Sequence, residues 1–371
     1  VGIENPRSIY LPLHYGKAPH WLLTRMRKLS KLIIEVIVEE FGEKEFFYRI
    51  SNPIFFQSFS NVLGFDWNSS GVTTVMTGVL KSVLNNPDST IRVAGGKGRH
   101  ARSAPEHIKT LSKDLDLDEK RIDRLILSSK LSAKIDNNAI QDGYDIYHHA
   151  VIFSERYFTV IQQGMSEENR LARRYHFAPS KFNDDLNHSG IVAERKEREV
   201  INLESKKSKE CKKAILDLIK TPNSIKRDIR EMCLISVKKV RFKHTQKTLQ
   251  TTLNGEEYQE YLVPWRVNWK AIERAYNLEI DNFHELLLVD GMGKSTLRAL
   301  ALIADLIYNA EYDKQDPAKY SFALGGKDGV PFPVNVRVYD EVIGFLREVI
   351  EQTTIDRFEK AKILRSLNSQ A

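Results

Sequence analysis

The stretch FHELLLVDGMGKSTLRALALIADLIY, from Phe283 to Tyr308, carries two helical patterns separated by a glycine corner. Leu286, Leu287 and Val289 put apolar side chains on a short helix that stops at Gly291-Met292-Gly293. A second helix begins there, with Ala299, Leu302, Ile303, Leu306 and Ile307 spaced to share one buried face. Two glycines one residue apart permit a tight turn and the close approach of another backbone. The amides that open the second helix lack partners within it, so they make a main-chain site for a phosphate.

Read outward from that corner, the run L-V-D-G-M-G-K-S-T-L-R-A-L resembles the helix-hairpin-helix motif, which grips the sugar-phosphate backbone of DNA without reading sequence. The resemblance implies that Gly291, Gly293 and the amides of Lys294, Ser295 and Thr296 hold phosphate, with Lys294 and Arg298 adding charge. The plain alternative is a helical hairpin with a glycine corner and no ligand. Of two other readings, the first is rejected and the second is disfavoured. A nucleotide-binding phosphate loop needs a glycine five positions before Gly293, where Leu288 stands, and a strand leading in. The base-excision glycosylases resembled here follow their hairpin with a catalytic aspartate in a Pro-Val-Asp segment. This chain has Pro333-Val334-Asn335, and an amide cannot act as a general base.

The chain has 371 residues, enough for two or three cores. Apolar content of 42% and charge of 28% are globular values, and no apolar run approaches the roughly 18 residues that span a bilayer. We expect a cytoplasmic protein with no membrane partner. Cys211 and Cys233 are too few for a disulfide framework or a four-cysteine zinc site, and read as reduced and structural. The net charge of +7 is uneven: residues 201–250 hold 14 Lys+Arg against 5 Asp+Glu, leaving that segment at +9 and the remainder at −2. A concentrated basic stretch favours a polyanionic partner, here DNA; a solvated helix face is the competing explanation. Oligomeric state is open at this level, with a homodimer as one option.

From the N-terminus, helices are expected from Pro19 to Phe41 and from Phe46 to Leu63 with a break at Pro53. Asp66 then caps a helix starting near Val72 or ligates a metal. A short strand, Ile91–Ala94, runs into a glycine turn where Lys97 and Arg99, with Arg102, could cradle phosphate, and Ser103 with Glu106 has the spacing of a capping box. Period-two alternation predicts a hairpin of Tyr144–Phe153 and Tyr157–Gln163, with Ile146, His148, Ala150 and Ile152 on one face and Tyr147, His149, Val151 and Phe153 on the other. Arg170, Arg173, Arg174 and His176 are expected in a helical basic patch. Trp265 and Trp269, four apart, read as core rather than as stacking platforms.

The densest chemistry lies between residues 131 and 177. Carboxylates with imidazoles at a sheet edge suit phosphodiester hydrolysis, in which Mg²⁺ or Mn²⁺ takes carboxylate oxygens and arginines neutralise the phosphate. The expected catalytic set is Asp136, Asp142, Asp145, His148, His149, Gln163, Arg174 and His176, with Asp142, Asp145 and His149 as the metal ligands. Asp142-Gly143 as a turn and Tyr-His-His as ordinary strand are the structural alternatives.

The strings His14-Tyr-Gly-Lys-Ala-Pro19, Gly64-Phe-Asp-Trp67, Ala94-Gly-Gly-Lys97, Gln141-Asp-Gly143, Tyr147-His-His149, Gln162-Gln-Gly-Met165, Ala172-Arg-Arg-Tyr-His176 and His188-Ser-Gly190 resemble an archaeal and thermophile family, the domain of unknown function numbered seven hundred and sixty-three. That resemblance spans roughly residues 8 to 350 and implies no reaction. The expected architecture is an α/β (α+β) N-terminal domain with a mixed sheet over residues 1–200, a basic helical connector over 201–260, and an all-α helix-hairpin-helix domain over 261–371. The expected function is a metal-dependent DNA nuclease acting on single-stranded or branched DNA in repair. The alternatives are a non-catalytic DNA-binding or scaffold protein and, behind it, a DNA glycosylase.

Overall fold

A computed structural model describes residues 18–65, 70–168, 170–181, 185–229, 267–320 and 336–353. Asp66, Cys233, Trp265 and Asn335 lie outside the described residues. The chain forms two units. One comprises residues 1–133, 143–196 and 317–371, and the other residues 134–142 and 197–316. Where three successive blocks were expected, each unit is thus built from separated segments.

The first unit opens with four helices: α1 (His20–Val36), α2 (Glu43–Ser51), α3 (Pro53–Val62) and α4 (Gly71–Leu84). The break at Pro53 is a cap. Asn52 accepts hydrogen bonds from the amides of Ile54 and Phe55, and Pro53, which has no N–H to satisfy, starts α3. After β1 (Arg92–Lys97) come α5 (Arg99–Arg102), α6 (Ala104–Leu111) and α7 (Glu119–Lys134). Ser103 precedes α6 but its hydroxyl turns back to the Arg99 carbonyl, so the expected capping box does not form. The chain continues through β2 (Ile140–Gln141), β3 (Asp145–Phe153), β4 (Phe158–Ser166), β5 (Leu171–Phe177), β6 (His188–Val192) and β7 (Ile201–Asn202).

The main sheet has the order β1-β3-β4-β5-β6 and every neighbour is antiparallel, which corrects the expected mixed sheet. The turns joining β3 to β4 and β4 to β5 are far shorter than a parallel crossover requires. The segment expected as a basic helix is β5, paired residue for residue with β4 from Ile161↔His176 to Ser166↔Leu171. A register shift between Ile146 and His148 places a bulge at Tyr147. One face of the sheet, with Val93, Ile152 and Ile161, joins a core of Phe46, Phe55, Phe59, Val72 and Met76 from the first four helices. The opposite face carries His149, whose ring meets Ser129 of α7.

The second unit contains the short antiparallel ladder of β2 with β7, and the helices α8 (Lys209–Lys220), α9 (Trp269–Asn277), α10 (Phe283–Leu288) and α11 (Lys294–Leu306). A further helical stretch occupies residues 222–229. Leu286, Leu287, Met292, Leu297, Leu300, Leu302 and Ile303 are buried, as the apolar spacing requires, and so is the Cys211 thiol. The last helix, α12 (Val336–Gln352), belongs to the first unit. Among the described residues no helix is long and apolar enough to cross a membrane.

Candidate functional site

In the first unit, antiparallel register lines up Lys97, His148, Gln163 and Arg174 side by side across β1, β3, β4 and β5. His176, two residues beyond Arg174, points to the same face. Three of the expected catalytic residues are therefore direct cross-strand neighbours, and a fourth lies close by. The elements that meet them decide what they can do.

Gln163 accepts from the Thr73 hydroxyl, and its amide donates to the Ser70 carbonyl and the Tyr147 hydroxyl. The bulge thus brings Tyr147 to the His148 face rather than to the His149 face expected from strict alternation. Thr77 donates its hydroxyl proton to the Thr73 carbonyl, so it accepts from His148 Nε2 at 2.9 Å. That assigns the neutral His148 tautomer with a bare Nδ1. Burial, with His149 and Lys97 nearby, pushes its pKa down to about 3. Arg174 lies 4.7 Å over the Phe56 ring and reaches Gln57, and burial lowers its pKa to about 9. His176 meets the edge of Phe56 at 5.2 Å, and burial beside Arg174 holds its pKa well below the usual value.

On the opposite face, Gln162 donates its amide to the Ser132 carbonyl, which fixes its oxygen toward His149. His149 Nδ1 donates to that oxygen at 2.7 Å, and Nε2 accepts from Ser129 at 2.8 Å. Both ring nitrogens are engaged, and burial lowers the pKa to about 4. His149 therefore has no lone pair to give a metal. Of its expected co-ligands, Asp145 is exposed at the start of β3, whereas Asp142, like Asp136, is buried. Among the described residues no group of three or more His, Cys, Asp or Glu side chains is placed to hold a metal ion. Among the described residues, then, Asp142, Asp145 and His149 do not form such a group. Lys97 and Arg99 are exposed beside β1, with Lys97 5.7 Å from the Tyr147 ring.

The second unit holds the glycine corner between α10 and α11. Gly291 has φ +83°, the left-handed conformation that its missing Cβ permits. Three successive carbonyls of the turn, those of Asp290, Gly291 and Met292, are taken by side chains. Arg274 donates to Asp290 O at 3.0 Å and also pairs with that aspartate's carboxylate, while Asn268 donates to Gly291 O at 3.1 Å. Met292 O accepts from Lys134 at 3.3 Å and Asn138 at 3.2 Å. Gln141 donates to Lys294 O at 2.9 Å, and the Asn268 amide donates to the Thr296 hydroxyl at 3.0 Å. Met292 is buried beneath the turn, while Gly291 and Ser295 are exposed and Gly293, Lys294 and Arg298 are half-buried. No side chain caps the N-terminus of α11.

Sequence reasoning located this corner and missed what braces it. Asn268 stands immediately before a helical pattern and is the N-cap of α9, a signal that local reading could have used. Lys134, Asn138 and Gln141 offer no such sign, because they reach the corner from more than 150 positions away. Trp269, expected in the core, is 37% exposed.

A family model described as protein of unknown function, DUF763, matches residues 7–334. No curated protein and no solved structure matches the chain.

Proposed function

Because this chain belongs to the DUF763 family, whose description assigns no reaction, we propose from its own residues that it binds DNA by the sugar-phosphate backbone, without reading sequence, at the glycine corner of the second unit. The observation that carries this is the one-sided saturation of the turn. Asp290, Gly291 and Met292 have their carbonyls held by Arg274, Asn268, Lys134 and Asn138. The start of α11 has no side-chain cap. Held carbonyls and an uncapped helix start leave the first amides of α11 to meet an anion, and Lys294 and Arg298 sit in the first turns where they can add charge, with the exposed Asp290 carboxylate paired to Arg274. As a helix-hairpin-helix element, the corner would hold successive phosphates of one strand. A rigid turn would make this grip without rearrangement.

This binding reading stands ahead of the nuclease expected from the sequence. His148 and His149 are buried with pKa values lowered by burial, and among the described residues no group of three or more His, Cys, Asp or Glu is placed to hold a metal. The test is fluorescence anisotropy of labelled duplex and single-stranded oligonucleotides with the full chain across a KCl series. Backbone binding gives a linear fall of log K with log salt, and Lys294→Ala or Arg298→Ala should each reduce the slope by about one. Absence of binding at low salt, or a salt slope unmoved by both variants, refutes the assignment. In the same samples Mg²⁺ or Mn²⁺ should yield no cleavage, and EDTA-sensitive products would restore the nuclease.

A further inference from the structure

We propose that a groove beside α9 in the second unit takes unpaired bases of the strand held at the glycine corner, stacking one on Trp269 and another on Tyr276. This rests on the backbone-binding reading and adds a substrate class, single-stranded DNA. The groove has a volume of about 600 Å³ and is lined by Lys220, Asn223, Lys226, Trp269, Glu273 and Tyr276, among others.

Trp269 is 37% exposed and Tyr276 50%, large apolar surfaces that a soluble helix ordinarily turns inward. They are seven residues apart, nearly two turns, so both rings lie on one side of α9, about 10 Å apart along its axis. Each offers a separate platform. Lys226 Nζ lies 5.4 Å from the Trp269 ring centroid, and Lys220 stands at the same groove, against a single acidic lining residue, Glu273. The Lys220 ion pair with Asp217 is solvent-exposed and too weak to withdraw that charge from a phosphate. Ring faces beside lysines are the combination that binds single strands, because every base has a stacking face and every linkage an anion.

The placement ties this groove to the corner. Asn268, the cap of α9, holds the Gly291 carbonyl, and Arg274, two residues before Tyr276 and so on the other side of the helix from the rings, holds Asp290. One short helix thus carries the platforms and braces the turn. In duplex DNA the base faces are covered by their neighbours, so only an unpaired base can use the rings. An acidic peptide would satisfy the lysines but would bring no flat partner for both rings.

The experiment compares oligo(dT), an abasic strand of equal length and a duplex by anisotropy, using the full chain as wild type, Trp269→Leu, Tyr276→Leu and Gly291→Ala. The wild type should bind oligo(dT) about tenfold more tightly than the abasic strand, and Trp269→Leu should remove about that factor while leaving abasic and duplex affinities unchanged. Unchanged duplex binding also shows that the variant is folded. Should Trp269→Leu fail to fold, Tyr276→Leu, at a half-exposed position, makes the same comparison. Gly291→Ala should weaken all three ligands together. Equal wild-type affinity for oligo(dT) and the abasic strand, or no effect of either ring variant, overturns the groove assignment while leaving the corner intact. Poly-glutamate that displaces oligo(dT) and binds Trp269→Leu less tightly than wild type overturns it in favour of an acidic polypeptide. Failure to bind any oligonucleotide overturns both.

Discussion

Lowering the pH from 7 to 5 should destabilise the first unit by about 4 kcal/mol, through two histidines that folding keeps neutral. His148 has a folded pKa of about 3 and His149 of about 4, whereas an unfolded histidine titrates near 6.5. The folded values are depressed, so the unfolded chain binds more protons once the pH drops below about 6.5. Stability is unaffected above that point, falls with pH below it, and levels off under the folded values. From 6.5 to 5 is 1.5 units, or about 2 kcal/mol for each histidine at 1.36 kcal/mol per unit. His176 acts in the same sense, since burial also lowers its pKa. Asp305, whose carboxyl is pushed up by burial, opposes the trend but belongs to the second unit. Hydrogen exchange of the β3–β4 amides, corrected for intrinsic rates, reads the opening free energy of the first unit at each pH. His148→Gln keeps a donor toward Thr77 and cannot titrate, so it should remove about half of the slope. A change under about 1 kcal/mol between pH 6.5 and 5, or a slope that survives His148→Gln undiminished, would refute the assignment of these rings as buried neutral groups.

Gly95→Ala should cost about 2 to 5 kcal/mol or prevent folding, by combining a left-handed backbone with overpacking. Gly95 has φ +88° and an added Cβ would stand 2.1 Å from the His149 carbonyl oxygen, so β1 would have to leave β3; a thermal melt within about 2 °C of wild type would contradict this. Gly291→Ala should cost the second unit about 1 to 2 kcal/mol. Its Cβ would lie 2.6 Å from Asn268 Nδ2, so DNA affinity should fall through loss of the Asn268 bond to the turn, and anisotropy equal to wild type would argue against the corner as the grip. Diethylpyrocarbonate at pH 7 should modify exposed His100 and spare His148, His149 and His176, as peptide mass mapping would report. Rapid modification of any of the three would reveal a solvent route to the sheet and restore it as a candidate for chemistry.

Much of the fold is legible in the chain because local periodicity and local caps specify it. Tyr144–Phe153 alternates and becomes β3, while the apolar spacing and the glycines of 283–308 become α10, the corner and α11. Arg-Arg-Tyr-His at 173–176 misleads for a physical reason. A strand covered on both faces shows no alternation, and here its buried residues are polar. Arg173 is sheltered by Tyr144 and Arg174 by Phe56 and Gln57, the last 117 positions away. The partners of His148 and Gln163 on α4 are 71 and 90 positions distant. No window of sequence contains those pairings, so residues suited to catalysis and residues suited to a buried polar network look the same until the fold is known.

Access then separates the two classes. Asp136, Asp142, His148, His149, Gln163, Arg174 and His176 are all buried, and of the eight residues expected to be catalytic only Asp145 is exposed. A buried polar group must be satisfied or it costs stability, which is why threonines, serines and glutamines surround the histidines. His149 shows the consequence most fully, since it spends both nitrogens on Ser129 and Gln162, whereas His148 keeps a bare Nδ1 in a buried position. At the glycine corner the same economy runs the other way. Three of the turn's carbonyls are bound by side chains, its apolar Met292 is buried, and Gly291 and Ser295 remain at the surface. Polar satisfaction there fixes a main-chain turn that stays partly at the surface, and the proposed DNA grip rests on that turn rather than on reactive side chains.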